Sequence, residues 1–327
     1  MQVATKTMLT KLTGFLRRLR SEQGRKTNLY IVAQKLINPI ARGMGYTVLA
    51  DHYAHPIPSN RELLLYSQQE RPLGSIDWHL QRQLDLVKRL LNEYRGEFNN
   101  AEIMSSFGYQ EATSGVMSGD AEFLFAMIRD IKPSRIIEIG AGGSTLIMMA
   151  ALHRNFSETQ RKTTFVSIEP YPRNILDEVR GRTHDFVDFN LLERNVQEVD
   201  SSVFEGLEEN DILFVDSSHV FKQGSDVEFE FLKVYPALSK GTLVHIHDIF
   251  FPFDYPLEWN NRSYRFWNEQ YFLETFLQCN RKYEVVASLS MVSHHNNSIF
   301  LNSITAYHED RKPGSFWMKA IRGQCKS

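Results

Sequence analysis

The stretch Ile136-Ile137-Glu138-Ile139-Gly140-Ala141-Gly142-Gly143-Ser144-Thr145 places an acid two residues ahead of a glycine turn. Glycines at such a turn let the backbone pass close to a ligand at the N-terminus of the following helix. A dinucleotide site uses similar parts, but here the third glycine of the G-x-G-x-x-G register is missing and Glu138 would repel a pyrophosphate. The methionine moiety of S-adenosylmethionine carries an amino group and a sulfonium, which a carboxylate suits electrostatically. Glu138, Gly140, Gly142 and Ser144 are therefore the expected cofactor contacts on this turn. The next apolar run, Phe165-Val166-Ser167-Ile168, ends in Glu169, 29 residues after Gly140, where an acid can accept hydrogen bonds from both ribose hydroxyls. Val196 and Gln197 stand where an adenine would be sandwiched and its edge read.

A second group of residues suits the acceptor side. Methyl transfer from a sulfonium is an in-line displacement, so the protein must hold the acceptor close and remove its proton when it is a hydroxyl. Ile212-Leu213-Phe214-Val215 delivers Asp216 at a strand end with His219 three residues later, and Leu243-Val244-His245-Ile246-His247 delivers His247 and Asp248 at another. Adjacent strands lie about 4.8 Å apart, so Asp216, His247 and Asp248 can converge on one divalent cation, of the Mg²⁺ or Mn²⁺ type from the ligand chemistry. The plainer alternative has Asp216 capping a turn and Asp248 accepting backbone hydrogen bonds, with no metal. His219 is the candidate general base, because an imidazole titrates near neutral pH. His245 is expected in the core, and His294 and His295 in a polar loop. The aromatic stretch 249–271 suits a substrate wall or lid, or packing on the N-terminal helices, with different residues free to serve either role; Arg262, Arg265 and Glu269 are candidate acceptor contacts.

These groups need a scaffold that brings strand ends together. From Asp120 onward the chain alternates helical patterns with short apolar runs, which implies a parallel sheet covered on both faces. The pattern predicts a helix over 119–131 and strands near 135–139, 164–168, 193–197, 211–215 and 242–247. A helix between the last two begins at a capping box, Ser225 and Glu228. Upstream, Leu80, Leu84, Val87, Leu91 and Tyr94 define one apolar helical face. Residues 45–60, with two prolines, read as an ordered extended loop.

The chain has 327 residues, 42% hydrophobic and 23% charged, which suits one sizeable globular domain with an extension. Its two cysteines provide neither a disulfide framework nor metal-ligand spacing, and no apolar run suggests a membrane span or signal core, so a cytoplasmic setting is expected. The net charge of −2 gives no nucleic-acid signature, yet the first fifty residues carry nine Lys or Arg against one acid, +8, leaving −10 for the rest. Within them, residues 6–21 form a basic amphipathic pattern. It suits either peripheral contact with an anionic membrane or docking on the chain's own domain or a second subunit of a homo-oligomer.

From Asp120 to Arg322, and in particular at EIGAGGST, NDILFVDSSHV and GTLVHIHDIFFPFDYP, the chain resembles class I S-adenosylmethionine-dependent methyltransferases of the methyltransferase-24-like family, often found beside polysaccharide and natural-product genes. The resemblance implies a Rossmann-like, doubly wound seven-stranded α/β sheet, mostly parallel, whose last two strands form an antiparallel pair supplied by YEVVASLS and SFWMKAI. It divides the chain into an N-terminal helical extension, 1–110, and a methyltransferase domain, 111–327. Related metal-dependent O-methyltransferases of the catechol and macrolide-sugar types are similar at this end: Asp216, His247 and Asp248 match their ligand places and His219 the base of the catechol type. One departure is that the first of the adjacent pair is histidine instead of an acid. The implied activity is O-methylation of a sugar, glycan precursor or secondary metabolite hydroxyl. A metal-dependent hydroxylase of the cephalosporin-hydroxylase-like type and a non-catalytic cofactor-binding scaffold are the alternatives.

Overall fold

The computed structural model describes residues 37–49, 56–66, 69–99, 104, 106–111, 115–177, 179, 184–261, 263–308 and 310–323. The basic pattern at 6–21 and Arg262 lie outside them. The chain divides into two compact units, Met1–Gln68 with Pro256–Phe266, and Gln69–Tyr255 with Trp267–Ser327. Among the described residues the smaller unit contains three short helices, Asn38–Gly43, Asn60–Tyr66 and Leu257–Asn261. The apolar helix of the N-terminal half, α1 (Leu80–Glu93), belongs to the larger unit, so the units part well before residue 110. No helix of the described residues is long and apolar enough to cross a membrane.

The larger unit is built on seven strands: β1 (Arg135–Ile139), β2 (Thr163–Ile168), β3 (Val187–Leu192), β4 (Ile212–Val215), β5 (Leu243–Ile246), β6 (Tyr283–Ser288) and β7 (Phe316–Ala320). Their order is β3-β2-β1-β4-β5-β7-β6. The first five run parallel, and β7 is antiparallel to both β5 and β6. RIIEI, ILFV and LVHI are apolar runs because both faces of these central strands are covered, one buried apolar cluster lying on each side. The strand expected near 193–197 is instead β3, at Val187–Leu192, followed by a 3₁₀ turn at Val196–Glu198. As an edge strand, β3 buries little of its length and carries Asp188 and Asn190 among apolar residues, so no continuous apolar run marks it.

Helices α2 (Asp120–Ile131) and α3 (Gly143–Thr159) cover one face. The first ten residues of α3, Gly143–Leu152, are all buried, which is why that half shows no polar stripe, and most of the polar residues gather in the second half. Asp120, at the start of α2, accepts from the backbone N–H groups of Gly314 and Ser315 at 3.1 and 2.8 Å, fixing the chain just ahead of β7. Ser225 caps the helix that begins at Asp226, its hydroxyl accepting from the Glu228 N–H at 3.1 Å. Helix α4 (Glu269–Cys279) starts three residues after the expected Phe266. His294 and His295 end a helix, Leu289–Asn296, instead of lying in a loop.

The sheet order places a topological switch between β1 and β4, since the chain turns outward to β2 and β3 on one side before returning to β4 on the other. Ligands of open parallel sheets bind in the crevice at the carboxyl ends of strands at such a point. Register makes this specific. Ile139 pairs with Ile168 and Val215, and Val215 with Ile246, so Gly140, Glu169, Asp216 and His247 each follow the last paired row.

Candidate active site

Gly140 holds the closest approach in the crevice. Its φ is +86°, and a Cβ built on it would lie 1.9 Å from the Asp216 carbonyl oxygen. Asp216 donates its N–H to the Ile139 carbonyl at 2.8 Å, so the two strand ends are stitched together where no side chain fits. Two residues on the same rim also have left-handed backbones, His219 at φ 58° and Asp248 at φ 57°. Such conformations cost about 1–3 kcal/mol each in non-glycine residues and cluster at functional sites.

Glu138 is fully buried and does not line the crevice. Its carboxyl accepts from the hydroxyls of Ser144 at 2.6 Å and Thr145 at 2.8 Å, and from Ser167. Thr145 in turn accepts the Gly142 N–H at 3.1 Å. The acid of the glycine motif thus ties β1, β2 and the first turn of α3 together beneath the turn. Burial pushes Glu138 up to about 7, against the lowering effect of the three hydroxyls. The folded chain therefore holds this proton more tightly than the unfolded chain, where a glutamate has its ordinary value of 4.5. The stability linked to Glu138 is complete below that ordinary value and declines as pH rises toward about 7, by up to about 1.4 kcal/mol per pH unit. Glu138→Gln is expected to flatten this decline; urea denaturation near pH 5 and near pH 7 measures it, and equal pH dependence in both proteins would contradict it.

Two cavities share Gly140, Glu169 and Asp216 in their walls. One, of about 440 Å³, is lined by Val196, Gln197, Ile168 and Ser218; the other, of about 270 Å³, by Gly142, Ser144, Arg173, His247 and Asp248. The Gln197 amide donates to the Gly224 carbonyl at 3.0 Å, and Glu169 accepts the Tyr171 N–H at 2.7 Å. Glu169 therefore stands at the junction, with the Val196 and Gln197 side on one hand and the strand-end acids on the other.

The acceptor end is organised around His219, which is 3% exposed. Its Nδ1 lies 2.9 Å from Glu269, a fully buried acid, and its Nε2 lies 3.2 Å from Asp216 and 3.8 Å from Asp248. The His219 carbonyl also accepts the N–H groups of Asn268 and Glu269, anchoring the start of α4 to this loop. Burial alone would lower the His219 pKa, but the hydrogen bonds and charges of Asp216 and Glu269 raise it well above its usual value. Burial likewise opposes ionisation of Asp216, yet the His247 charge and the His219 hydrogen bond bring it down to about 2. At neutral pH His219 is an imidazolium beside the Asp216 carboxylate, the wrong protonation state for a histidine acting alone as a base, while burial raises the pKa of Glu269 on its other side.

Among the described residues, the ligand atoms within 4.8 Å of one another are those of Asp216, His219 and Asp248. His247 lies farther round the rim, its Nε2 4.0 Å from Asp248, and its Nδ1 has no hydrogen-bond partner among the described residues. Two carboxylates and an imidazole fit a hard divalent cation, with His219 nearer than His247 to the expected ligand place. His245 is a core residue, stacked on Phe214 and bonded to the Ser315 hydroxyl at 3.0 Å.

Glu269 is the partner of His219 and, being fully buried, no acceptor contact. Arg265 lies over Trp259 in the smaller unit. Phe250, Phe251 and Tyr255 are buried, Phe251 against Trp78 and Phe316, and none lines the two cavities. Their aromatic density reflects packing. Sequence reasoning passed over Arg173 and Tyr171; the signal available was their place in EPYPR, directly after the strand-end acid.

Residues 137–249 match the model of the methyltransferase-24 family, described as a methyltransferase domain. An uncharacterized protein of Archaeoglobus fulgidus is 29% identical over 182 residues, 52% of this chain and 78% of that protein. Among solved structures, the SAH-bound Podospora anserina methyltransferase PaMTH1 is similar at 18% identity and a TM-score of 0.37, over 72% of this chain and 88% of that one. The plantazolicin methyltransferase BpumL is similar at 11% identity and a TM-score of 0.37, over 74% and 99%. The family match covers the glycine turn, Glu169, Asp216, His219, His247 and Asp248, and the seven-stranded order agrees with it: over residues 137–249 this chain is similar to the methyltransferase-24 family, a methyltransferase domain.

Proposed function

We propose that the protein transfers the methyl group of S-adenosylmethionine to a hydroxyl of a sugar, glycan precursor or secondary metabolite. The observation that carries this reading is the pair of cavities joined at Glu169 and Asp216, which leads from Val196 and Gln197 past the glycine turn to a cluster of acids and imidazoles. Glu169 would take the ribose hydroxyls, Val196 and Gln197 the adenine, and Gly140, Gly142 and Ser144 the turn beside the methionyl part, with Glu138 bracing that turn from below. A hydroxyl must lose a proton as it is methylated, and Asp216 and Asp248, the cavity-wall carboxylates beside the His219 imidazolium, are the groups that can take it, with Glu269 holding His219 in place. A cation bound by Asp216, Asp248 and His219 would lower the pKa of the acceptor hydroxyl. The residues themselves orient the acceptor and screen it from water. The basic N-terminal pattern, as a membrane or subunit contact, belongs to the same proposal.

The test is transfer from methyl-labelled S-adenosylmethionine to a panel of sugars, nucleotide sugars, catechols and phenols, with and without EDTA. Label recovered in alkali-stable ethers supports the hydroxyl reading. Label only in alkali-labile esters, or only on nitrogen acceptors, contradicts it. Loss of transfer with EDTA and its return with Mg²⁺ or Mn²⁺ supports the cation.

A further inference from the structure

The cavity on the methionyl side has Gly115, Val116, Tyr171 and Arg173 in its walls beside the glycine turn and the strand-end residues. Arg173 is the one side chain there with a permanent positive charge. Its guanidinium hangs over two glycines: a Cβ built at Gly142 would lie 2.6 Å from Nη2, and one built at Gly115 would lie 3.8 Å from the same atom. Gly142 has an extended backbone, φ −178°, which any residue adopts, so the 2.6 Å marks only how closely the guanidinium tip approaches the turn.

The backbone of Arg173 is fixed. It follows Pro170 and Pro172, and its carbonyl accepts the N–H of Leu176 at 3.0 Å, with the Leu176 side chain fully buried in a 3₁₀ turn. Its tip is different. Among the described residues the guanidinium has neither an ion pair nor a hydrogen bond, although six other arginines in the larger unit, such as Arg71, Arg89 and Arg129, are paired with carboxylates or carbonyls. An unpaired guanidinium carried on a fixed backbone at a cavity wall is suited to a planar anion that it can grip with two parallel hydrogen bonds.

We propose that Arg173 binds the α-carboxylate of the methionyl tail of S-adenosylmethionine and of the product S-adenosylhomocysteine. The proposal rests on the cofactor placement above. With the ribose at Glu169 and the adenine toward Val196 and Gln197, the tail enters the cavity that Arg173 overhangs, and its carboxylate is the one anionic group the cofactor carries. The same contact makes Arg173 a reader of the intact amino-acid tail, so that nucleosides lacking it are held less well.

The experiment is a pair of calorimetric titrations of the full-length protein, with S-adenosylhomocysteine and with 5′-methylthioadenosine, which has the adenosine and thioether but no carboxylate. The wild type is expected to prefer S-adenosylhomocysteine. In Arg173→Met, its affinity is expected to fall about 10–100-fold while that for methylthioadenosine stays within about twofold, and Arg173→Lys is expected to fall between. Equal weakening of both ligands overturns the proposal and leaves Arg173 a support of the pocket wall. Unchanged binding of both overturns it too, and a raised acceptor KM in that case assigns the guanidinium to the acceptor. Wild-type protein that binds neither ligand removes the cofactor reading and this proposal with it.

Discussion

Gly140→Ala is expected to cost about 3–5 kcal/mol of stability and to abolish binding of S-adenosylhomocysteine. Two independent penalties meet at this residue. A φ of +86° is strained for any residue with a side chain, and the added Cβ would sit 1.9 Å from the Asp216 carbonyl oxygen, which is backbone and cannot swing aside. Relief requires the ends of β1 and β4 to part, which breaks the Asp216 N–H to Ile139 bond and opens the crevice at the switch point. For a unit of this size the loss corresponds to a fall in Tm of roughly 10 °C. Thermal denaturation with a calorimetric titration measures both parts. A protein with unchanged Tm and unchanged binding would mean that the turn is not packed as described. A Tm loss with full binding would separate the turn from the ligand.

Asp216→Asn is expected to lower kcat about 10²–10⁴-fold while leaving the affinity for S-adenosylhomocysteine within about threefold. Asparagine keeps the shape of the side chain and removes its charge, so His219 loses one of its two close carboxylate partners and any cation loses one of two carboxylate ligands. Both effects fall on the acceptor end, because the cofactor's ribose is assigned to Glu169. The measurement is kcat with the acceptor identified by labelled transfer, alongside a binding titration. A kcat within tenfold of wild type would remove Asp216 from the proton-handling chain. A comparable loss of kcat and of binding would move it to the cofactor.

The strand ends were legible because central parallel strands are buried on both faces and announce themselves as RIIEI, ILFV and LVHI, each followed at once by the residue that register brings to the crevice. The same rule hid β3, where Asp188 and Asn190 interrupt the pattern at a sheet edge. The acid of the glycine motif was read from the sequence as a cofactor contact, whereas its carboxyl lies beneath the turn as a brace: only the fold shows Ser144, Thr145 and Ser167 closing on Glu138. His219 was found through its spacing from Asp216, three residues along one loop, whereas Glu269 lies fifty residues away and meets it only because the His219 carbonyl anchors the start of α4. Nothing in sequence distance signals such a pairing. The aromatic run after Asp248 divides, since ring density marks packing as readily as a substrate wall: Phe251 and Tyr255 are spent on the core, while the Trp267 ring lies 4.2 Å from that of His219.

All of these expectations presuppose one ligand in one crevice, so the most direct measurement is a calorimetric titration of the wild-type chain with S-adenosylhomocysteine and, in parallel, with NAD⁺. The dinucleotide would have to place its pyrophosphate on a turn that lacks the third glycine of its fingerprint. The predicted result is one-to-one binding of S-adenosylhomocysteine and none of NAD⁺; binding of NAD⁺ without S-adenosylhomocysteine would contradict the account.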